Sequence, residues 1–86
     1  MIHKISEPIS VIASYNSDIR AARPLSLKWG HHEYSVSQVG LRHTYRDGIT
    51  RHHVFSVVSN SLFFRLNLNT DNLSWTLEEV SDGLPD

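Results

Sequence analysis

Histidines are the side chains in this 86-residue sequence with the clearest capacity for chemistry, because imidazole binds metals and changes charge near neutral pH. Adjacent pairs occur at His31 and His32 and at His52 and His53, and His43 lies between the pairs. The chain has no cysteine, which excludes disulfides, thiolate zinc ligands and thiol nucleophiles. It also has no HExxH motif. Any metal site must therefore be assembled from histidines and carboxylates that the fold brings together.

The pair formed by His43 and His52 is the strongest metal candidate. Residues 46–49, Arg-Asp-Gly-Ile, predict a tight hairpin, since Asp-Gly readily adopts the positive φ angles of a two-residue turn. In the resulting register His43 faces His52, and the Cβ atoms of directly opposed residues are about 5 Å apart. No third ligand follows from the sequence, because His53 points to the other face of the hairpin. The alternatives are a pH-sensitive pair, since two protonated rings would repel, and ordinary surface histidines.

The same hairpin carries residues suited to a nucleic-acid surface. Arginines alternate with an aromatic ring at Arg42, Tyr45, Arg46 and Arg51, a combination that suits phosphates and stacked bases of a single strand. All eight lysines and arginines lie in residues 1–65, which carry a formal charge of +4, whereas residues 66–86 carry −5. The net charge of −1 weighs against a general polyanion binder, and charged side chains on a hairpin also discourage strand pairing at its edge.

Apolar side chains on the face opposite the predicted core suggest an interface. In the predicted register Val39, Leu41, Val54 and Phe63 project to that face, and an exposed patch of this kind often marks a contact with another protein. A homodimer formed through it would also stabilise a small domain. The alternative is that a β-bulge near Ser37 and Gln38 turns Val39 and Leu41 into the barrel.

Catalytic motifs are absent from the sequence. There is no GxSxG elbow, no GxGxxG or Walker loop, and no carboxylate pair or nucleophile beside a base. We therefore predict a non-enzymatic binding or assembly module that uses no cofactor.

Composition and alternation predict one small all-β domain spanning residues 1–86. Hydrophobic residues make up 40% of the chain, no segment resembles a signal peptide or membrane span, and the lack of cysteine suits the cytoplasm. Period-two alternation, interrupted by turn residues every eight to twelve positions, predicts an antiparallel barrel of five to six strands, Src-homology-3-like, with little or no helix. Residues 81–86 are expected to form a polar tail.

The predicted core comprises the residues that alternate onto one face of these strands. It consists of Val11, Leu27, Trp29, Tyr34, Val36, Phe55, Val57, Leu62, Phe64, Leu66, Leu68, Leu73, Trp75 and Leu77.

The order of core and turn residues resembles a family of uncharacterised small bacterial barrel domains. The resemblance is carried by PIxVxAxY at 8–15, Arg-Pro at 23–24, LxWG at 27–30, YxVxxV at 34–39, the Asp-Gly hairpin, FxV at 55–57, FxL at 64–66 and LSWxLEEV at 73–80. Members occur alone or at the C-terminal end of translesion DNA polymerases, so the resemblance implies a small barrel and, as partner, single-stranded nucleic acid or a DNA-processing protein. It implies no catalytic residues. Many members have a tryptophan and more basic residues where this chain has residues 43–45, His-Thr-Tyr.

Overall fold

The chain folds into seven antiparallel strands in a computed structural model that describes residues 1–18 and 20–83. The strands are β1 (Ile2–Asn16), β2 (Ala21–Trp29), β3 (His32–Ser35), β4 (Gln38–Asp47), β5 (Thr50–Ser59), β6 (Leu62–Asn69) and β7 (Ser74–Ser81). The described residues include no helix, and thus none long and apolar enough to cross a membrane. The all-β prediction is confirmed.

The strands form one sheet in the order β3-β2-β1-β7-β6-β5-β4, curled into a half-barrel. Its two edge strands, β3 and β4, are consecutive in the chain and are joined by Val36 and Ser37. The Val36 N–H donates to the Leu25 carbonyl on β2 at 2.8 Å, and the Ser37 N–H donates to the Val58 carbonyl on β5 at 2.8 Å. This corner closes the half-barrel at one level, because it ties β2 to β5 across the concave side.

The strand count of five to six is wrong because residues 33–45, which the alternation predicts as one long third strand, form parts of two strands. The sequence predicts a bulge near Ser37 and Gln38, and the strand breaks there into β3, which pairs with β2, and β4, which pairs with β5. A register shift in β4 lies slightly later, between Val39 and Arg42. Strand β1 is also longer than residues 8–15, which the alternation predicts as the first strand, since Ile2 pairs with Ser81 of β7. The predicted tail thus begins within β7, and its residues 84–86 lie outside the described part of the chain.

Three two-residue turns share one backbone conformation. Gly30, Gly48 and Asn60 are the first loop residues of the β2–β3, β4–β5 and β5–β6 hairpins, and their φ angles are 64°, 63° and 54°. The second loop residue has a negative φ in each turn. This is the type II′ arrangement, in which only the first central residue must tolerate the left-handed region.

The three hairpins from β4 to β7 pair two residues away from the predicted register. The sequence predicts turns at 59–60 and 70–71, which would pair Phe55 with Phe64 and Leu66 with Trp75. In the structure Phe55 faces Leu66, and Leu66 in turn faces Leu77. His43 likewise faces Val54 rather than His52. A shift of two residues keeps every side chain on its predicted face, so hydrophobic alternation cannot detect it. In the β4–β5 turn the choice follows from Gly48, because placing it first spares Asp47 a positive φ.

The core lies on the concave face of the curled sheet. Leu27, Phe55, Val57, Phe64, Leu66, Leu77 and Val80 form its buried cluster. Most other predicted members pack around this cluster, together with Ile5, Ile9 and Val39, which were not predicted to belong to it. Val39 is thus turned inward, as the bulge alternative predicts, whereas Leu41 is 76% exposed.

Two apolar residues are placed differently from the prediction. Leu73 is 71% exposed, because the β6–β7 connection is a four-residue loop that ends with Leu73 at a φ of 58°. Val54 does lie on the convex face, but it is only 1% exposed. Its neighbours across the sheet are His43 on β4 and Asn67 on β6. It therefore cannot belong to an exposed interface.

We expect Leu77→Ala to lower the free energy of unfolding by about 2–5 kcal/mol, because it removes buried methyl groups from the centre of the core. Leu73→Ala should change it by less than about 0.5 kcal/mol, since that side chain is exposed. Urea denaturation of both variants measures the difference. An equal loss in the two variants would contradict this core.

Candidate functional site

One face of the β4–β5 hairpin is cationic. Arg46 pairs directly with Arg51, Thr44 with His53, and Arg42 with Phe55. Side chains of a directly opposed pair share a face, and alternate residues along each strand share it as well. Because Phe55 is part of the buried core, this face is the concave one. Three of the four predicted nucleic-acid residues, namely Arg42, Arg46 and Arg51, therefore lie on the concave face together.

The β1–β2 hairpin supplies the opposite wall. Tyr15 and Arg20 line a cavity of about 380 Å³ together with Arg42 and His53. The side chains of Phe55 and Leu68 also line it, and Phe55 is 2% exposed. We call Tyr15, Arg20, Arg42, Arg46, Arg51 and His53 the basic cleft. It combines cations and an exposed aromatic ring with an apolar floor.

The arginines of the basic cleft are available to an external anion. Within the described residues, none of these four arginines has a carboxylate close enough for an ion pair. Carboxylates at this end of the half-barrel belong to Asp18 and Asp71 in turns and to Asp47, which alternates onto the convex face. The Asp71 Oδ2 already accepts a hydrogen bond from the Thr50 hydroxyl at 2.6 Å. Concentrated positive charge thus coexists with a net charge of −1.

The position of His53 in the cleft favours the neutral form of its imidazole. Burial lowers the pKa of its imidazole below the ordinary value of 6.5, and the positive charges of Arg51 and Arg42 lower it further. Both causes disfavour the protonated ring, the first by removing water and the second by repulsion. An anion bound among the arginines would reverse the second cause.

The convex face of the same hairpin carries a separate polar layer. The rings of Tyr45 and His52 are stacked, with centroids 4.8 Å apart and planes 7° from parallel. Asn67, which is 6% exposed, donates from Nδ2 to the Tyr45 hydroxyl at 2.9 Å and to Glu78 Oε2 at 3.0 Å. Glu78 is also paired with Arg65, whose Nε lies 3.2 Å from Oε1. Tyr45 therefore lies on the opposite face from the three arginines with which it was predicted to act.

The polar layer fixes the tautomer of His52. A carboxylate can only accept hydrogen bonds, so the Asn67 amide nitrogen faces Glu78, and its Oδ1 is left to face His52 Nδ1 at 2.9 Å. His52 must then donate from Nδ1. This nitrogen is occupied, and only Nε2 can accept a further bond.

The predicted metal pair is not assembled as expected. His43 lies opposite Val54, and His52 lies opposite Tyr45, so the two imidazoles are diagonal neighbours rather than a directly opposed pair. Within residues 1–18 and 20–83, no three histidine or carboxylate side chains are grouped to hold a metal ion. The cause is the two-residue register shift set by Gly48.

The histidine pair at His31 and His32 lies at the end of β2 that is remote from the basic cleft. His31 occupies the β2–β3 turn after Gly30, and the His32 ring lies 6.3 Å from the Tyr34 ring. Nearby, the Trp29 indole N–H donates to Glu7 Oε2 at 2.7 Å. Trp29 and Tyr34 pack against the core as predicted.

Tyr15, Arg20 and His53 are the residues of the cleft that sequence reasoning did not assign to a nucleic-acid surface. A signal for Tyr15 was present, because the alternation of β1 places it on the same side as Ile9 and Val11, beyond the end of the core. Its proximity to Arg42 depends on the curl of the sheet, which no local pattern specifies.

Comparison with known proteins finds no matching family model, no similar curated protein and no similar solved structure.

We expect the imidazole of His53 to titrate below pH 6.5 by NMR, and Arg51→Gln to raise its pKa by removing a nearby positive charge. Because the folded pKa is lowered, neutral His53 contributes stability above pH 6.5 that is lost as the pH falls through the folded pKa. His53→Gln should therefore flatten this part of the stability profile. Arg65→Gln, on the convex face, is the matched control and should leave the His53 pKa unchanged; an equal shift in both variants would contradict the assignment.

Proposed function

We propose that this chain is a non-catalytic module that binds single-stranded nucleic acid in the basic cleft. The observation that carries the proposal is the convergence of Arg20, Arg42 and Tyr15 around an apolar-floored cavity. Arg46 and Arg51 lie on the same face of the β4–β5 hairpin as Arg42. Arginine guanidinium groups bind phosphates through paired hydrogen bonds and charge, and an aromatic ring can stack on any of the bases. Binding of this kind depends on backbone charge and stacking, so it needs no base-specific hydrogen bonds.

The arrangement favours a single strand over a duplex. The cations lie on a concave surface between two hairpins, and the cavity between them is only about 380 Å³. A flexible single strand can turn its bases toward Tyr15 and the Phe55–Leu68 floor while its phosphates contact the arginine rim. In a duplex the faces of the bases are stacked on one another and cannot reach this floor.

The finer description of the fold is also a proposal. We infer an Src-homology-3-like barrel from the sharply curled antiparallel sheet and the corner at Val36 and Ser37, which brings the two edge strands together. The resemblance to barrel domains attached to translesion polymerases agrees with a nucleic-acid role and suggests a DNA-processing protein as a further partner.

We expect an eight-nucleotide oligothymidylate to bind with a strong salt dependence. If four arginines each neutralise one phosphate, the slope of log affinity against log salt should be about −3, at about −0.7 per contact. Arg51→Ala should weaken binding and make the slope shallower by about 0.7. Tyr15→Ala should lose about 1–3 kcal/mol of binding free energy, the contribution of one stacked base. Fluorescence anisotropy across a salt series measures each quantity.

The convex face provides matched controls. Arg65→Ala and Tyr45→Ala remove the same residue types from outside the cleft and should leave affinity and salt slope unchanged, with thermal unfolding confirming that each variant is folded. Salt-independent binding, or equal losses in the cleft and convex-face variants, would overturn the proposal.

Self-association is the second candidate, favoured by an outward apolar groove. Leu41, Val58 and Phe63 line a depression of about 420 Å³, and Leu41 and Phe63 are 76% and 47% exposed. Of the four predicted interface residues only these two exposed side chains fit, since Val54 is buried and Val39 packs against the core.

If the groove joins two copies, light scattering should give twice the chain mass, and Phe63→Asp should halve it by placing a charge in the contact. Leu73→Asp is the control, since it adds the same charge at an exposed turn outside the groove. A monomer at all concentrations would exclude this candidate and leave the first untouched.

A further inference from the structure

Strands β2 and β4 have free edges that face each other beyond the closing corner. The Val36 N–H to Leu25 carbonyl bond is the last backbone link on this side, and within the described residues no backbone hydrogen bond joins β2 to β4. The direct link is a side chain: Arg42 Nη1 donates to the Ala22 carbonyl at 3.5 Å. The chain leaves the corner along β4 and diverges from β2.

The lining of the gap between β2 and β4 suits an extended segment. A cavity of about 860 Å³ lies between the two edges. Because an arginine side chain rather than a backbone amide bridges them at Ala22, the strands are more than one ladder spacing of about 4.8 Å apart. Pro24, which lacks an N–H, is compatible with β2 because it lies next to this unpaired edge. We call the gap the strand slot.

The charge of the strand slot identifies the chemistry of its occupant. Arg23 and Arg42 line it, and no carboxylate does so among the described residues. Arg42 lies on the concave face, whereas Arg23 pairs with Ser14 and is not among the residues lining the concave cavity. An extended chain in the slot would thus meet a cation on each of its faces. Val39 and Leu41 add apolar contacts along β4.

We propose that the strand slot binds an extended acidic peptide segment of a partner protein, which pairs with the free edges of β2 and β4 and completes the barrel. Main-chain hydrogen bonds to the exposed edges would supply affinity, as in other strand additions, and the two arginines would select acidic side chains. Since β2 and β4 run in opposite directions, the segment is antiparallel to one edge and parallel to the other. This interaction is distinct from nucleic-acid binding, although Arg42 borders both sites.

The test uses a defined probe, an eight-residue capped peptide of valine and glutamate ordered so that glutamates occur on both faces of an extended chain. NMR titration should perturb β2 and β4, and bound peptide should slow exchange of the Ala22 amide at least tenfold while leaving that of Leu66 in the core unchanged. The same peptide with lysine in place of glutamate should not bind. N-methylation of alternate residues should abolish binding, because it removes backbone donors.

Two charge reversals separate this site from the basic cleft. Arg23→Glu should weaken the glutamate peptide at least tenfold and leave oligothymidylate binding intact, whereas Arg51→Glu should do the reverse. Equal binding of the lysine peptide, no effect of Arg23→Glu, or shifts confined to His53 and its cavity would overturn the proposal. A free protein that is dimeric through its β4 edges and excludes the peptide would also overturn it, because the occupant would then be a second copy.

Discussion

The corner at Val36 and Ser37 is the constraint on which the rest of the molecule depends. Two backbone hydrogen bonds there hold β2 and β5 together across the concave side, and the sheet can separate only beyond them. On one side of the corner the core is enclosed around Leu27 and Phe64. On the other side β2 and β4 diverge, which creates both the basic cleft and the strand slot. A fully closed barrel would bury the inner face of the β4–β5 hairpin and could not place arginines there without partners.

The two faces of the β4–β5 hairpin carry polar side chains of different kinds. On the convex face, Tyr45 stacks on His52, and Asn67 hydrogen-bonds to both side chains. On the concave face the arginines have no carboxylate partners among the described residues. Net charge conceals this division, because several of the acids that balance the arginines lie in turns, on the convex face or on β7, among them Asp71, Asp47 and Glu79. Distribution, rather than total charge, determines what such a surface can attract.

Much of this architecture was predictable because alternation determines which face a side chain occupies. The buried cluster around Phe55, Leu66 and Leu77 and the break near Ser37 both follow from the period of the sequence. The strand register could not be predicted in the same way, since a shift of two residues leaves every side chain on its face. The predicted opposition of His43 and His52 depended on that register and was therefore wrong. The contribution of the β1–β2 hairpin to the cleft was also missed, because the curl of the sheet brings Tyr15 on β1 near Arg42 on β4, and no local pattern predicts that curl.

The type II′ turns have a consequence for recognition as well as for folding. Two registers that differ by two residues place the same side chains on the same face, so burial does not choose between them. Gly48 and Asn60 choose between them because each adopts a positive φ angle as the first residue of its turn. Register in turn decides which arginine stands beside which neighbour: with Gly48 first in its loop, Arg46 meets Arg51 and Thr44 meets His53. A glycine with no neighbouring atom within 4 Å of its Cβ position therefore determines, through the register, how the charges of this hairpin are arranged. A change of register at this turn would keep each side chain on its face and still change which residues of β4 and β5 stand opposite Arg42, Arg46 and Arg51.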